Sequence, residues 1–148
     1  MNRNFLKYVG IGVLVIFAFV LFTNRTNTSY PYRAELRSLK SEHAMTVELF
    51  VAAYRQFDTE GSYDLAMMEN QLGQLEGHIE RYNGLDELPL ESKEDYAALL
   101  EGIQEEQAYF QLIYETALRA EPIPGEYTLG LKKTVEALSL YQGRMGRY

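Results

Sequence analysis

Residues 65–83 read LAMMENQLGQLEGHIERYN, and Leu65, Met68, Leu72, Leu75, Ile79 and Tyr82 fall in alternating steps of three and four. That spacing puts all six on one face of an α-helix, because residues three and four apart lie one above the other. Held over this length, the stripe predicts coiled-coil-like packing against a neighbouring helix. Asn83-Gly84 supplies a stop, and Pro89 keeps the chain out of helix until about Ser92.

The same period continues on both sides. Toward the N-terminus, Leu36, Leu39, His43, Val47, Phe50, Tyr54 and Phe57 form one face, and Asp58-Thr59-Glu60-Gly61-Ser62 breaks it with turn residues. Toward the C-terminus, Ser92 and Asp95 resemble a capping box. The next stripe runs through Tyr96, Leu99, Ile103, Phe110, Ile113 and Ala117. Pro122 and Pro124 end it, since neither can continue a helix. A last segment shows Leu131, Val135, Leu138, Tyr141 and Met145 on one face. Strand-like alternation is absent, so the expected class is all-α. Helices over 33–57, 64–83, 92–120 and 127–145, joined by short links, predict an antiparallel up-down four-helix bundle over 33–148.

The segment 5–22 reads FLKYVGIGVLVIFAFVLF. Its apolar and glycine core, 8–22, rises about 22 Å as a helix, and the two residues before Lys7 bring it near 27 Å, against a hydrocarbon core of about 30 Å. Lys7 lies close enough to the end to reach the headgroups. The residues after the run, Thr23-Asn24-Arg25-Thr26-Asn27, carry no small-residue cleavage pattern, which favours an uncleaved signal anchor over a removed signal peptide. The expected organisation is therefore an anchor over 1–23, a polar stalk over 24–32 and the bundle. Arg3 and Lys7 precede the run while Arg25, Arg33, Arg37 and Lys40 come after it, so flanking charge nearly balances. A tail this short before a single span accompanies export of a long C-terminal domain, which predicts a cytoplasmic N-terminus and an extracytoplasmic bundle.

The chain has no cysteine, so its fold rests on apolar burial. Charge divides sharply along its length. Residues 41–126 hold 19 acidic and four basic side chains, whereas the remainder holds ten basic and two acidic, giving −7 in all. An up-down bundle brings the start of its first helix beside the end of its fourth. Arg25, Arg33, Arg37, Lys40, Arg144 and Arg147 would then form a basic collar beside the bilayer, where each is worth about 1 kcal/mol toward anionic lipid. Tyr30, Tyr32 and Tyr148 suit an aromatic belt at the same level. The acidic body reads as a solvated surface that keeps a tethered domain off the membrane.

Chemistry-bearing motifs are absent. There is no cysteine nucleophile, no Ser-His-acid signature, no phosphate-cradling glycine loop and no calcium-loop pattern. Glu-x-x-His pairs for a di-iron bundle are also missing. A lone histidine on an apolar face, as His43 is, reads as a hydrogen-bonded core residue rather than a haem ligand. Gln107 continues the third stripe between Ile103 and Phe110, and a buried His43–Gln107 pair is expected to fix the alignment of the helices. His78 falls on a mostly polar face. No catalytic residue, metal or cofactor is expected, and the acidic body argues against nucleic acid.

An apolar anchor and then long helices, with Tyr63-Asp64-Leu65 opening the second, resembles the all-helical extracytoplasmic sensor domains of bacterial receptors, the DAHL type among them. The resemblance implies an up-down sensor bundle over about 33–145. Such receptors continue their last helix into a second span, whereas this sequence ends at Gly146-Arg147-Tyr148. Two functions fit these features. One is a membrane-anchored, non-enzymatic interaction or assembly subunit of the cell envelope, whose partners are the bilayer and a protein or second copy met through helix faces. The other is a ligand-sensing module that signals through a separate partner.

Overall fold

Proline lacks an N–H, which costs nothing in the first turn of a helix, and Pro31 opens α1 (Pro31–Glu60) in that position. The computed structural model describes residues 31–148. Three more helices complete it: α2 (Leu65–Asn83), α3 (Lys93–Leu118) and α4 (Gly125–Met145), with one 3₁₀ turn, Leu90–Ser92, before α3. The described residues are all-helical and contain no strand. Among them no helix is long and apolar enough to cross a membrane. The expected anchor 5–22 and Arg25 lie outside the described residues.

Helix ends explain where the boundaries differ from expectation. α1 runs on through Asp58, Thr59 and Glu60, because Gln56 bonds Glu60 and the Thr59 hydroxyl donates to the Gln56 carbonyl. It stops at Gly61, whose φ of 71° is left-handed and suits glycine alone without strain. At its start, Pro31 and Tyr32 are helix rather than stalk. Tyr32 is buried and donates to the Met145 carbonyl, so it is a core residue and not part of an aromatic belt. Asp64 caps α2 by accepting from the Met67 amide at 3.0 Å. The capping box at Ser92 does not form. Its hydroxyl donates to the Pro89 carbonyl, closing the 3₁₀ turn, and Asp95 instead accepts from Arg144 and Tyr148.

Successive helices pack against one another, α3 and α4 most extensively. Two glycines let α3 and α4 approach: a Cβ on Gly102 would meet Leu138 at 2.8 Å, and one on Gly130 would strike the Tyr109 ring. At one end of the bundle Tyr32 bonds Met145 and Tyr96 bonds the Tyr82 carbonyl. At the other, the Tyr63 hydroxyl donates to the Glu121 carbonyl, joining the α1–α2 and α3–α4 links. Between them lies a core of Leu39, Phe50, Met68, Leu75, Leu99, Ile103, Phe110, Ile113 and Leu138, with Phe50 and Phe110 stacked at 3.8 Å.

Candidate functional site

Each helix buries residues at steps of three and four, and that phase reaches polar side chains. α1 buries Tyr32, Leu36, Leu39, His43, Thr46, Phe50 and Ala53, while α2 buries Met68, Gln71, Leu75, His78 and Tyr82. α3 buries Glu106 between Ile103 and Phe110, and α4 buries Gln142 before Met145. Apolar neighbours one position on, Val47, Leu72, Ile79 and Val135, move to the flanks and are only partly buried.

All four helices thereby contribute to one polar layer. His43 Nε2 meets Glu106 Oε2, and its Nδ1 lies 3.3 Å from the Gln142 amide nitrogen. That amide also reaches the Tyr82 hydroxyl at 2.7 Å. His78 Nε2 bonds the Thr46 hydroxyl at 3.0 Å, and the two imidazole centroids stand 6.0 Å apart. Glu106 is 0% exposed, and its second oxygen, Oε1, is buried with no hydrogen-bond partner among the described residues.

Two expectations are corrected by this geometry. The partner of His43 is Glu106 and not Gln107, because both ring nitrogens are engaged by Glu106 and Gln142, and Gln107 sits one position off the buried phase, only partly buried. His78 is buried rather than on a polar face. The phase itself was the missed signal. Steps of 103–106–110 and 75–78–82 keep the alternation of their helices, but they require a glutamate and a histidine to be accepted as core.

The layer admits two hydrogen-bonding arrangements on the same heavy atoms. With the Gln142 amide donating to Nδ1 and to the Tyr82 oxygen, a neutral His43 carries its proton on Nε2 and gives it to the Glu106 carboxylate. With the amide turned over, its oxygen accepts from the Tyr82 hydroxyl and from an Nδ1–H, which suits an imidazolium paired with Glu106. Burial pushes Tyr82 upward, so it stays a phenol and can serve in either. Burial pushes His78 below the ordinary imidazole value; charge on His43 and Arg81 acts the same way, and Glu42 opposes it. Among the described residues no three acidic or histidine side chains form a group that could hold a metal.

Two hollows open along the seam between α1 and α4. The lower one, about 480 Å³, is walled by Val47, Val51, Tyr54, Leu129, Leu131 and Val135, and rimmed by Arg55, Lys132 and Glu136. Leu129 is 53% exposed there. The upper one, about 440 Å³, is lined by Arg33, Leu36, Arg37, Lys40, Gln142, Gly143, Gly146 and Arg147.

The structure spreads the described members of the expected basic collar over two clefts, with Arg147 bordering both. Arg33, Arg37, Lys40 and Arg147 share the upper cleft. Arg144 turns to Asp95, 3.3 Å away, beside the Tyr148 hydroxyl, which also bonds Asp95. Comparison with family models, curated proteins and solved structures gives no match to this chain.

Proposed function

We propose that the protein is a membrane-anchored, non-enzymatic subunit, in which 1–23 is the anchor and an antiparallel up-down bundle on the extracytoplasmic side binds a protein partner. The observation that carries this reading is the lower α1–α4 hollow, where six apolar residues form one continuous surface between helices that pack only lightly. A groove of this kind is the shape into which an amphipathic helix lays its apolar face. The occupant fitting this seam is an amphipathic partner helix with acidic flanking residues. Arg55, which has no ion-pair partner among the described residues, stands on its rim to receive them, while Lys132 on the same rim pairs with Glu136 at 3.9 Å.

A photo-crosslinking residue at Leu129 in the full chain, expressed in its own membranes, tests this. One discrete adduct is expected from Leu129 and none from Leu112, an exposed leucine on α3. Val51→Glu with Val135→Glu should abolish it. Equal labelling from both sites, or an adduct indifferent to those substitutions, counts against the reading.

The buried layer favours a second reading, the sensing module. Glu106 keeps an unsatisfied oxygen in a layer with two arrangements, which is the kind of element a signal can bias. A ligand that changes Glu106 or His43 exchange in the full chain would favour it over assembly.

A further inference from the structure

We infer that the upper α1–α4 cleft is a binding site for a phosphate-bearing anion, held by Arg33, Arg37, Lys40 and Arg147. The chain carries a net charge of −7, yet no carboxylate side chain lines this cleft. The acidic residues nearest in sequence are committed elsewhere. Glu35 and Glu42 both bind Arg81, on α2, and Asp95 binds Arg144 and Tyr148. Arg33 donates to the Tyr148 backbone oxygen and Arg37 to the Arg33 carbonyl, while Arg37, Lys40 and Arg147 have no ion pair among the described residues. Arg147 also borders a neighbouring cleft that holds Glu91, Glu94 and Asp95, whereas Arg37 and Lys40 stand in this one without an acidic side chain; they repel each other, and an anion in the cleft relieves that repulsion.

The cleft is also built rather than flat. Its lining includes Leu36 and Gln142, which are 3% and 6% exposed, and Gln142 reaches from there into the polar layer through Tyr82 and His43. Gly143 leaves the rim open, since a Cβ there would meet nothing within 4 Å. About 440 Å³ falls within the roughly 300–1,000 Å³ usual for small-ligand sites. Planar guanidinium forks suit phosphate oxygens better than they suit a simple halide. The cleft lies where α1 begins, at the end from which the chain leads back toward the apolar run. A lipid headgroup is therefore the expected source of the phosphate, and that part alone rests on the anchored reading.

The test titrates the full chain in neutral detergent with three probes: inorganic phosphate, short-chain phosphatidylglycerol and short-chain phosphatidylcholine. Arg37→Gln with Lys40→Gln should weaken phosphatidylglycerol binding about tenfold or more. Arg119→Gln with Lys133→Gln removes the same charge at exposed positions outside both hollows and should change it less than about twofold. Inorganic phosphate competing as well as the lipid supports the cleft and makes free phosphate its source. Equal losses from the two double variants, or no binding of either anion, overturn the proposal. Alkaline extraction of membranes reports on the anchor separately. A chain that washes free but still binds phosphate through Arg37 and Lys40 sinks the anchored reading and leaves the cleft standing.

Discussion

His43 and Glu106, 63 residues apart in the chain, meet at the centre of the bundle with the glutamate wholly buried. The pair joins α1 to α3, across the bundle rather than between neighbouring helices. It draws in Gln142 and Tyr82, so all four helices depend on it.

Removing one member leaves the other buried without its partner. Glu106→Ala should cost about 3–5 kcal/mol, whereas His43→Leu with Glu106→Leu should recover most of that loss. Urea unfolding monitored by circular dichroism on the single and double variants gives the comparison. A double variant as unstable as the single one would show that the layer contributes more than a paired charge.

Stability should fall as the solution is acidified below about pH 6.5, and His78 is one cause. Its folded-state value lies below the ordinary 6.5. Above that pH both states carry a neutral imidazole. As pH falls through 6.5 the unfolded chain takes up a proton that folded His78 refuses, and stability is lost until the folded value is passed. His43, Glu42 and Arg81 are the charged or titratable groups that act on it. The slope of melting temperature against pH from 7.5 to 5 should be shallower in His78→Gln. An unchanged slope would assign the acid sensitivity to other groups.

Ala120 ends α3 in a left-handed conformation, φ 54°, that an alanine adopts only with strain. The Glu121 amide reaches the Thr116 carbonyl and the Ala120 amide reaches Ala117, which is the bonding of a Schellman cap. Ala120→Gly should therefore stabilise the bundle by about 0.5–1 kcal/mol, read as a rise in denaturation midpoint.

Two glycines in helix interiors should respond differently. Gly73→Ala on α2 adds a methyl that meets nothing and should gain about 1 kcal/mol of helix propensity. Gly102→Ala adds one against the fully buried Leu138, and overpacking of about 1–3 kcal/mol should cancel or exceed the same gain. Midpoints that rise equally for both would mean that α3 and α4 have room to part.

Helix positions were legible in the sequence because apolar periodicity and proline or glycine breaks are local signals. The polar layer was less so. Both Val47 and Thr46 fit a helical step from His43, and a reading that prefers apolar residues selects Val47, Leu72 and Ile79 over the buried Thr46, Gln71 and His78. Only the packing of the helices decides between adjacent phases. His43 itself stood out because Leu39 and Phe50 flank it at helical spacing. Glu106 did not, since a carboxylate at 0% exposure is the last residue type that periodicity would place in a core. The nearness of Arg33, Arg37, Lys40 and Arg147 follows from charge position and helix order, whereas the bond from Arg144 to Asp95 spans 49 residues and has no local signal.

The polar ties between α1 and α4 are graded along the seam. Tyr32 to Met145 and Arg33 to Tyr148 lie at one end, His43 to Gln142 lies further in, and beyond Thr46 the two helices face each other across the apolar hollow. Tension on the chain at Pro31 would thus enter a joint that peels rather than shears. The Tyr32 clasp would yield first and the His43–Gln142 tie second, after which only the hollow remains between α1 and α4. On its other side the same stretch is held to α2, where Arg81 binds Glu35 and Glu42, so lifting it away would break that double tie as well before His43 let go of Glu106.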